Sequence, residues 1–242
     1  MLITSVNNEK IRELSKLQIK KYRDIQNKFL VEGDHLVNEA YKSGYLLEVF
    51  VLDENKYDFN NVDKIIVTPE VMKKLSEQET TPDIIGVCTY INNTLSDSNN
   101  LLILDGIQDP GNLGTIIRSA VAFNFDILLG SNTVDIYNSK TIRSTEGMIF
   151  HINFVKDNIQ SFVMYNDKYD YYIADMNKGV NIKDFNRAGK MVAVIMGNEG
   201  NGVSDATRNI INNYVHIGES DKCESLNVGV AASIIMYELG DK

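Results

Sequence analysis

Three segments of the chain place glycine, asparagine and charged side chains directly after apolar stretches that read as buried strands. The segments are 101–120, 192–209 and 215–239. In an open α/β sheet, ligands bind beyond the carboxyl ends of the strands, so polar groups in these segments are candidates for chemistry. The candidate catalytic side chains are Asn112, Arg118, Glu199, Ser225 and Asn227. Amides and hydroxyls can orient a substrate hydroxyl through hydrogen bonds. A guanidinium can bind an anion through two donors, and a carboxylate can bind a hydroxyl or a cation.

Each segment taken alone also has a structural explanation. Asn112 and Ser225 suit the N-caps of helices, and Arg118 suits a structural salt bridge, because a buried unpaired charge is costly. The loop that starts at Gly197 lacks a Gly-Lys-Ser/Thr sequence, and its glycines follow the order G-x-x-G-x-G instead of G-x-G-x-x-G. The loop therefore argues against an enzyme that uses NAD or a nucleotide.

The elements that would position these segments alternate between strand and helix in both halves of the chain. Residues 92–100 are small and polar, so they favour a linker at about 94–99 between a first domain, 1–93, and a second, 100–242. The elements predicted in the second half are strands at 101–104, 126–129, 171–174, 191–196 and 214–217, and helices at 114–123, 139–146, 204–211 and 226–238. Apolar strands that alternate with helices predict an α/β fold with a parallel sheet covered on both faces.

The net charge argues against a nucleic-acid partner, but the charge is unevenly placed. The chain has 24 basic and 33 acidic side chains, a formal net charge of −9, so its overall field repels polyanions. Residues 1–28 nevertheless carry seven basic and three acidic side chains and repeat apolar residues near helical spacing. This pattern predicts a helix with a basic face, although a solubilising surface explains it equally well.

Composition excludes several other classes of protein. Two cysteines and three scattered histidines supply neither a disulfide framework nor a metal-ligand cluster, so no metal is expected. No uncharged apolar run approaches the roughly 18 residues of a membrane span, and the first residues contain no apolar signal core. We therefore expect a cytoplasmic protein without a membrane partner.

Taken together, the three segments resemble the three motifs of the SPOUT superfamily. The motifs are Asn112-x-Gly114-x-x-x-Arg118, Gly197-Asn-Glu199-Gly-x-Gly202 and Ser225-Leu-Asn227-Val. They are most similar to those of the SpoU/TrmH-type RNA ribose 2′-O-methyltransferases, over residues 101–239, and the segment 135–147 fits the same family. The N-terminal half, especially residues 29–40, resembles the small ribosomal-protein-like substrate-binding domain that often precedes this catalytic domain.

The resemblance implies a fold, a cofactor and an assembly. The second domain would be an α/β knot, a parallel sheet with a trefoil knot, and the small α/β domain before it would bind RNA. The residues implied in S-adenosylmethionine binding are Met196, Gly197, Ile217, Leu226 and Asn227. Members of the family dimerise through the knot helices, which implies a homodimer with Arg118 of one subunit near the cofactor of the other.

The implied reaction is attack of a ribose 2′-hydroxyl on the sulfonium methyl group of S-adenosylmethionine. The pKa of a guanidinium lies above roughly 12, so Arg118 stays protonated at neutral pH and cannot remove the proton. We therefore expect Arg118 to orient the target phosphate or to lower the pKa of the hydroxyl. The proton would leave to water or to a neighbour such as Glu199. The remaining candidates, Asn112, Ser225 and Asn227, would position the ribose and the loops.

The additional N-terminal domain favours a large structured RNA as substrate, with large-subunit ribosomal RNA ahead of transfer RNA, and DNA is not expected. The residues expected to contact RNA lie in two basic patches and are Lys20, Lys21, Arg23, Lys140 and Arg143. RNA binding should then be salt-sensitive, because phosphate contacts release counterions. The alternatives are a methyltransferase that acts on a base and a catalytically inactive RNA-binding member of the same fold.

The third segment departs from the family pattern at three positions. Gly218 and Glu219 stand where Pro-Met is common, and Asp221 stands where glycine is common. Glycine in place of proline makes a free loop more flexible, so ordering that loop on binding costs more free energy. We expect these departures to weaken cofactor affinity and to leave the class of reaction unchanged.

Overall fold

The structure, a computed structural model, describes residues 2–92, 94–186, 189–218, 222 and 225–240. Its strands are β1 (Leu2–Ile3), β2 (Lys28–Glu32), β3 (Leu46–Val51), β4 (Asp63–Val67), β5 (Ile84–Thr89), β6 (Asn100–Asp105), β7 (Phe125–Leu129), β8 (Phe154–Lys156), β9 (Tyr169–Ala174), β10 (Val180–Asn181), β11 (Met191–Gly197) and β12 (Tyr214–His216). Its α-helices are α1 (Glu9–Ser15), α2 (Lys20–Gln26), α3 (Asp34–Lys42), α4 (Pro69–Leu75), α5 (Pro110–Ala122), α6 (Ser139–Ser144), α7 (Ile159–Tyr165), α8 (Asp205–Arg208) and α9 (Val228–Leu239).

The chain divides into two compact units. The first unit comprises Met1–Asn92 together with Asp135–His151, and the second comprises Asn93–Val134 and Ile152–Lys242. We refer to Asp135–His151 as the inserted segment, because it lies between two parts of the second unit in the sequence. The sequence places this segment in the second domain, whereas in the structure it packs with the first unit.

The first unit is built on a mixed five-stranded sheet in the order β1-β4-β3-β5-β2. The strands β1, β4 and β3 run parallel to one another, and β5 pairs antiparallel with both β3 and β2. Apolar residues of α1 and α4 pack with strand residues in one core that includes Ile11, Leu14, Phe50, Val71 and Leu75. The alternation of strand and helix therefore produces a small α/β unit, as the sequence predicts.

Aromatic and charged contacts attach the inserted segment to the rest of the first unit. The Tyr137 ring lies 4.7 Å from the ring of Phe29 in β2, and the Phe150 ring lies 6.2 Å from the same ring. Arg23 of α2 donates from Nη2 to Asp135 Oδ2 at 2.7 Å, and both side chains are less than a tenth exposed. A buried ion pair thus connects α2 to the start of the segment.

The second unit is built on a parallel seven-stranded sheet in the order β10-β12-β9-β11-β6-β7-β8. Every residue of β7 is buried, as are five of the six residues of β6 and five of the seven residues of β11. Such strands require cover on both faces, which the apolar runs in the sequence predict. The predicted parallel α/β fold of this half is confirmed.

Two long helices of this unit, α5 and α9, pack against each other. The hydroxyls of Ser119 and Ser233 lie 2.7 Å apart, and the rings of Phe123 and Tyr237 meet edge to face at 5.7 Å. A Cβ added at Gly229 would lie 3.3 Å from Thr115, so this small residue brings the two helices close together. Within the described ranges, no helix is long and apolar enough to cross a membrane.

Candidate active site

The three sequence segments that carry the candidate groups meet at one edge of the seven-stranded sheet. The strands β6 and β11 pair in parallel, so the last residue of each, Asp105 and Gly197, stand opposite one another. The segments that follow β6, β11 and β12 therefore emerge on the same side of the sheet, as expected for carboxyl ends of parallel strands.

The helices α5 and α9 begin with N-caps that differ from the expected ones. Asp109 caps α5 by accepting from the backbone N–H of Asn112 at 2.8 Å. Asn227 caps α9 by accepting through Oδ1 from the N–H of Gly229 at 2.9 Å, and the exposed Ser225 precedes it. The Asn112 side chain is consequently released from capping and is available for other hydrogen bonds.

Side chains from all three motifs form one hydrogen-bonded chain, which we call the amide network: Asn112, Glu199 and Asn227. Asn112 Nδ2 donates to Glu199 Oε1 at 2.9 Å, and Asn227 Nδ2 donates to Asn112 Oδ1 at 2.9 Å. An ionised carboxylate only accepts, so Glu199 fixes which way the Asn112 amide faces. The Asn227 amide is fixed in the same sense by its capping bonds. The network therefore holds two amides in defined orientations.

The loop after β11 is a tight turn held by its own backbone and by Asn198. Asn198 and Gly202 exchange two backbone hydrogen bonds of 2.9 Å, and Asn198 Nδ2 donates to the carbonyl of Gly106 at 2.8 Å. A Cβ added at Gly197 would lie only 2.2 Å from the carbonyl carbon of Gly202, so glycine is required there. This geometry presents Glu199, at the tip of the turn, to Asn112.

A cavity of about 680 Å³ opens beside the amide network. Its lining includes all the residues predicted to bind the cofactor, namely Met196, Gly197, Ile217, Leu226 and Asn227, and also Glu199 and Ser225. Its size lies within the usual range for small-molecule sites. Apolar side chains such as Met196 and Ile235 suit an aromatic ring, while backbone amides, hydroxyls and carboxamides suit polar groups. The residues present fit S-adenosylmethionine.

Gly218, where the family commonly has proline, is close to another loop. A Cβ at this position would lie 2.6 Å from Asn181 Nδ2, and Asn181 Oδ1 is already engaged with the backbone N–H of Lys183. The departure from proline therefore has a packing reason in this chain. The other two departures, Glu219 and Asp221, lie outside the described residues.

Arg118 projects from α5 and is exposed. Within the described part of the chain it forms no hydrogen bond or ion pair, and it does not line the cavity. The structural salt bridge considered from the sequence is therefore not present among these residues. An exposed guanidinium without such partners keeps its donors available for an anion.

The predicted RNA-contacting residues divide into exposed and buried groups. Lys20, Lys21 and Lys140 are exposed, and Arg143 is half-buried. Arg23 is 4% exposed and is committed to the carbonyls of residues 17 and 18 and to the carboxylate of Asp135. The assignment of Arg23 to RNA was wrong, because a buried guanidinium with three protein acceptors cannot reach a phosphate.

Two charged residues that line the cavity, Asp175 and Arg208, are not among the site residues predicted from the sequence. Asp175 directly follows β9, so the strand-end rule that found the other segments applies to it as well. Arg208 ends the short helix α8 and gives no comparable signal. In the described ranges, no group of three or more His, Cys, Asp or Glu side chains is arranged to hold a metal ion.

Both units match known families. Residues 99–237 match the model of the SpoU rRNA Methylase family, and residues 8–86 match the MRM3-like substrate binding domain. The 23S rRNA (guanosine(2553)-2′-O)-methyltransferase RlmP of Bacillus subtilis is 36% identical to this chain, and the match covers 98% of each protein.

Solved structures with the same fold include an rRNA methyltransferase from Sinorhizobium meliloti. It is 25% identical, with a TM-score of 0.86, and the match covers 99% of this chain and 96% of that one. The AdoMet-bound rRNA methyltransferase from Sinorhizobium meliloti has a TM-score of 0.86 at 24% identity, with coverage of 99% and 97%.

Proposed function

Because this chain belongs to the SpoU rRNA methylase family, we propose that it transfers a methyl group from S-adenosylmethionine to a ribose 2′-hydroxyl of ribosomal RNA. The observation that carries the proposal is the amide network at the cavity, which unites one residue from each of the three motifs. The full-length similarity to a 23S rRNA ribose methyltransferase supports the same reaction.

The cavity residues would hold the cofactor, which supplies a methyl group made electrophilic by a sulfonium. Met196 and Ile217 contribute apolar surface and backbone amides, and Leu226 and Asn227 close the site from the start of α9. The fold shared with an AdoMet-bound rRNA methyltransferase supports this placement.

Arg118 anchors the phosphate next to the target ribose, and the amide network orients the 2′-hydroxyl. Holding two groups in line removes much of the entropic barrier, on the order of 7–11 kcal/mol in well-oriented systems. One oxygen of Glu199 accepts from Asn112, so we assign Glu199 to orienting that amide, and the proton leaves to water. Ser225, exposed at the cavity, is assigned to the ribose.

RNA is recruited by the exposed cations of the first unit, Lys20, Lys21 and Lys140, with Arg143 beside them on α6. The net charge of −9 disfavours random polyanions, so attraction is confined to these few groups. Binding should weaken steeply as salt is raised, because each phosphate contact releases condensed counterions. We assign RNA binding to residues 1–93 together with the inserted segment, which carries Lys140 and Arg143, and methyl transfer to the remainder of residues 100–242.

The same proposal includes a homodimer through a trefoil-knotted second unit and a cytoplasmic location. Exposed apolar residues on α9 support the dimer, since Val230 and Tyr237 are 45% and 53% exposed. A second subunit seated on this face would cover them and would bring another chain near Arg118. Sedimentation at micromolar concentration should give the mass of a dimer, and a monomer would contradict this part.

Radiolabelled methyl transfer tests the substrate directly. The purified chain is incubated with tritiated S-adenosylmethionine and with unmodified 23S rRNA or transfer RNA transcripts. We expect incorporation into the 23S transcript. The first nucleotide to examine is the guanosine that corresponds to position 2553, which is the position given in the name of the Bacillus subtilis relative. Incorporation into transfer RNA alone would contradict the ribosomal substrate and support a transfer RNA ribose methyltransferase. Incorporation into neither RNA would support an inactive RNA-binding protein.

A further inference from the structure

Two charged side chains of the cavity wall have no part in the scheme above. Asp175 and Arg208 both line the cavity, and their side chains are 17% and 29% exposed. Arg208 Nη1 lies 3.4 Å from Asp175 Oδ2. The wall therefore contains a negative and a positive charge held side by side.

Backbone groups hold the Asp175 carboxylate in place. Its Oδ1 accepts from the N–H groups of Asn177 at 3.2 Å and Lys178 at 3.3 Å. Partial burial raises the pKa of Asp175, but the hydrogen bonds from Asn177, Arg208 and Lys178 outweigh it and bring the pKa below its ordinary value. Asp175 is consequently ionised at neutral pH.

The glycine turn holds the Arg208 guanidinium. Nε donates to the carbonyl of Val203 at 3.0 Å, and a Cβ added at Gly202 would lie 3.2 Å from Nη2. The guanidinium thus packs closely against a residue that has no side chain. Both charges of the pair have fixed positions relative to the cavity.

We propose that Asp175 and Arg208 are two opposing specificity-determining residues: the carboxylate strengthens, and the guanidinium weakens, the preference of the cavity for the cationic methyl donor over the neutral product. This inference rests on the proposed function. S-adenosylmethionine and S-adenosylhomocysteine differ by one methyl group and one positive charge on sulfur. Among the described lining residues, the remaining charged side chain is Glu199. Removing the charge of Arg208 makes the wall more negative and favours the cation, and removing that of Asp175 has the opposite effect.

Calorimetric titration of both ligands tests the proposal without requiring turnover. The quantity measured is the Kd of S-adenosylhomocysteine divided by that of S-adenosylmethionine, for the wild type, Asp175→Asn, Arg208→Gln and the double variant. At an effective dielectric between about 40 and 60, one wall charge acting on the sulfonium across this cavity should change this ratio several-fold. The ratio should rise in Arg208→Gln, fall in Asp175→Asn and return close to the wild-type value in the double variant.

The ratio of the two Kd values separates an electrostatic effect from structural damage, because a distorted cavity weakens the binding of both ligands alike. Asp170→Asn is the matched control, since Asp170 lies near the other end of β9, about 16 Å from Asp175 along the strand. Ratios within two-fold of wild type in both single variants would overturn the inference while leaving the proposed function intact. If a single variant fails to fold, the sign of the change in the other decides. If the wild type binds neither ligand, the proposed function itself fails.

Discussion

Moving the negative charge of the amide network from Glu199 to position 112 separates positioning from proton transfer. In Asn112→Asp, the donor to Glu199 is lost and two carboxylates face each other across the former hydrogen bond of 2.9 Å. Repulsion at this separation costs about 1–3 kcal/mol at an effective dielectric between 80 and 40. The lost hydrogen bond adds about 1 kcal/mol. The rate of methyl transfer should fall roughly 30- to 1000-fold.

Glu199→Gln has a milder predicted effect. The glutamine amide can turn its oxygen toward Asn112 Nδ2, so the bond survives with a neutral acceptor and the rate falls about five-fold. In the double variant Asn112→Asp, Glu199→Gln, the new amide donates to the new carboxylate, and Asn227 still donates to the same residue. The network is restored, with its negative charge on residue 112 instead of residue 199. The double variant should therefore be at least ten-fold faster than Asn112→Asp.

Single-turnover transfer of a tritiated methyl group to the RNA transcript measures these rates. Asn212→Asp is the control, because it adds the same charge at an exposed position of the second unit that does not line the cavity. If Glu199 accepted the proton, Glu199→Gln would lose a factor of 10²–10⁴ and the double variant would stay inactive. That result would refute the positioning role.

Three further substitutions test other parts of the account. Arg118→Lys should lose most of its activity and keep cofactor affinity, because a point charge does not replace a two-donor fork; near-normal methylation in a kinetic assay would contradict this. Arg23→Met should destabilise the first unit by about 3–5 kcal/mol in urea unfolding, since it leaves a buried carboxylate without its guanidinium. The exposed Arg12→Met should have little effect, and equal stability of the two variants would be the opposing result. Gly218→Pro should weaken S-adenosylmethionine binding several-fold in calorimetry, because its Cβ collides with Asn181; tighter binding would instead favour the loop-flexibility explanation.

The convergence of the three motifs was predictable from the sequence, and their detailed contacts were not. Apolar runs at 101–104 and 191–196 predict parallel strands, and the carboxyl ends of such strands share one edge. The same patterns do not show which asparagine caps a helix. Asp109 takes that role for α5, because it lies before the first turn and Asn112 lies within it.

Short elements and long-range pairs account for most of what the sequence did not predict. The strands β8 and β10 have three and two residues, too few for a periodic signal. Arg23 reads as one cation on a basic helix, and its burial depends on Asp135, which is 112 residues away in the chain. A periodicity argument uses near neighbours in sequence, so it cannot find such a partner.

The position of the transferred methyl group tests the central claim most directly. After incubation with S-adenosylmethionine, the 23S rRNA transcript is digested to nucleosides, and each methylated nucleoside is fragmented in a mass spectrometer. The account predicts a fragment in which the extra methyl mass stays with the ribose, and its loss in Arg118→Lys. Methyl mass that stays with the base would contradict ribose methylation by this chain.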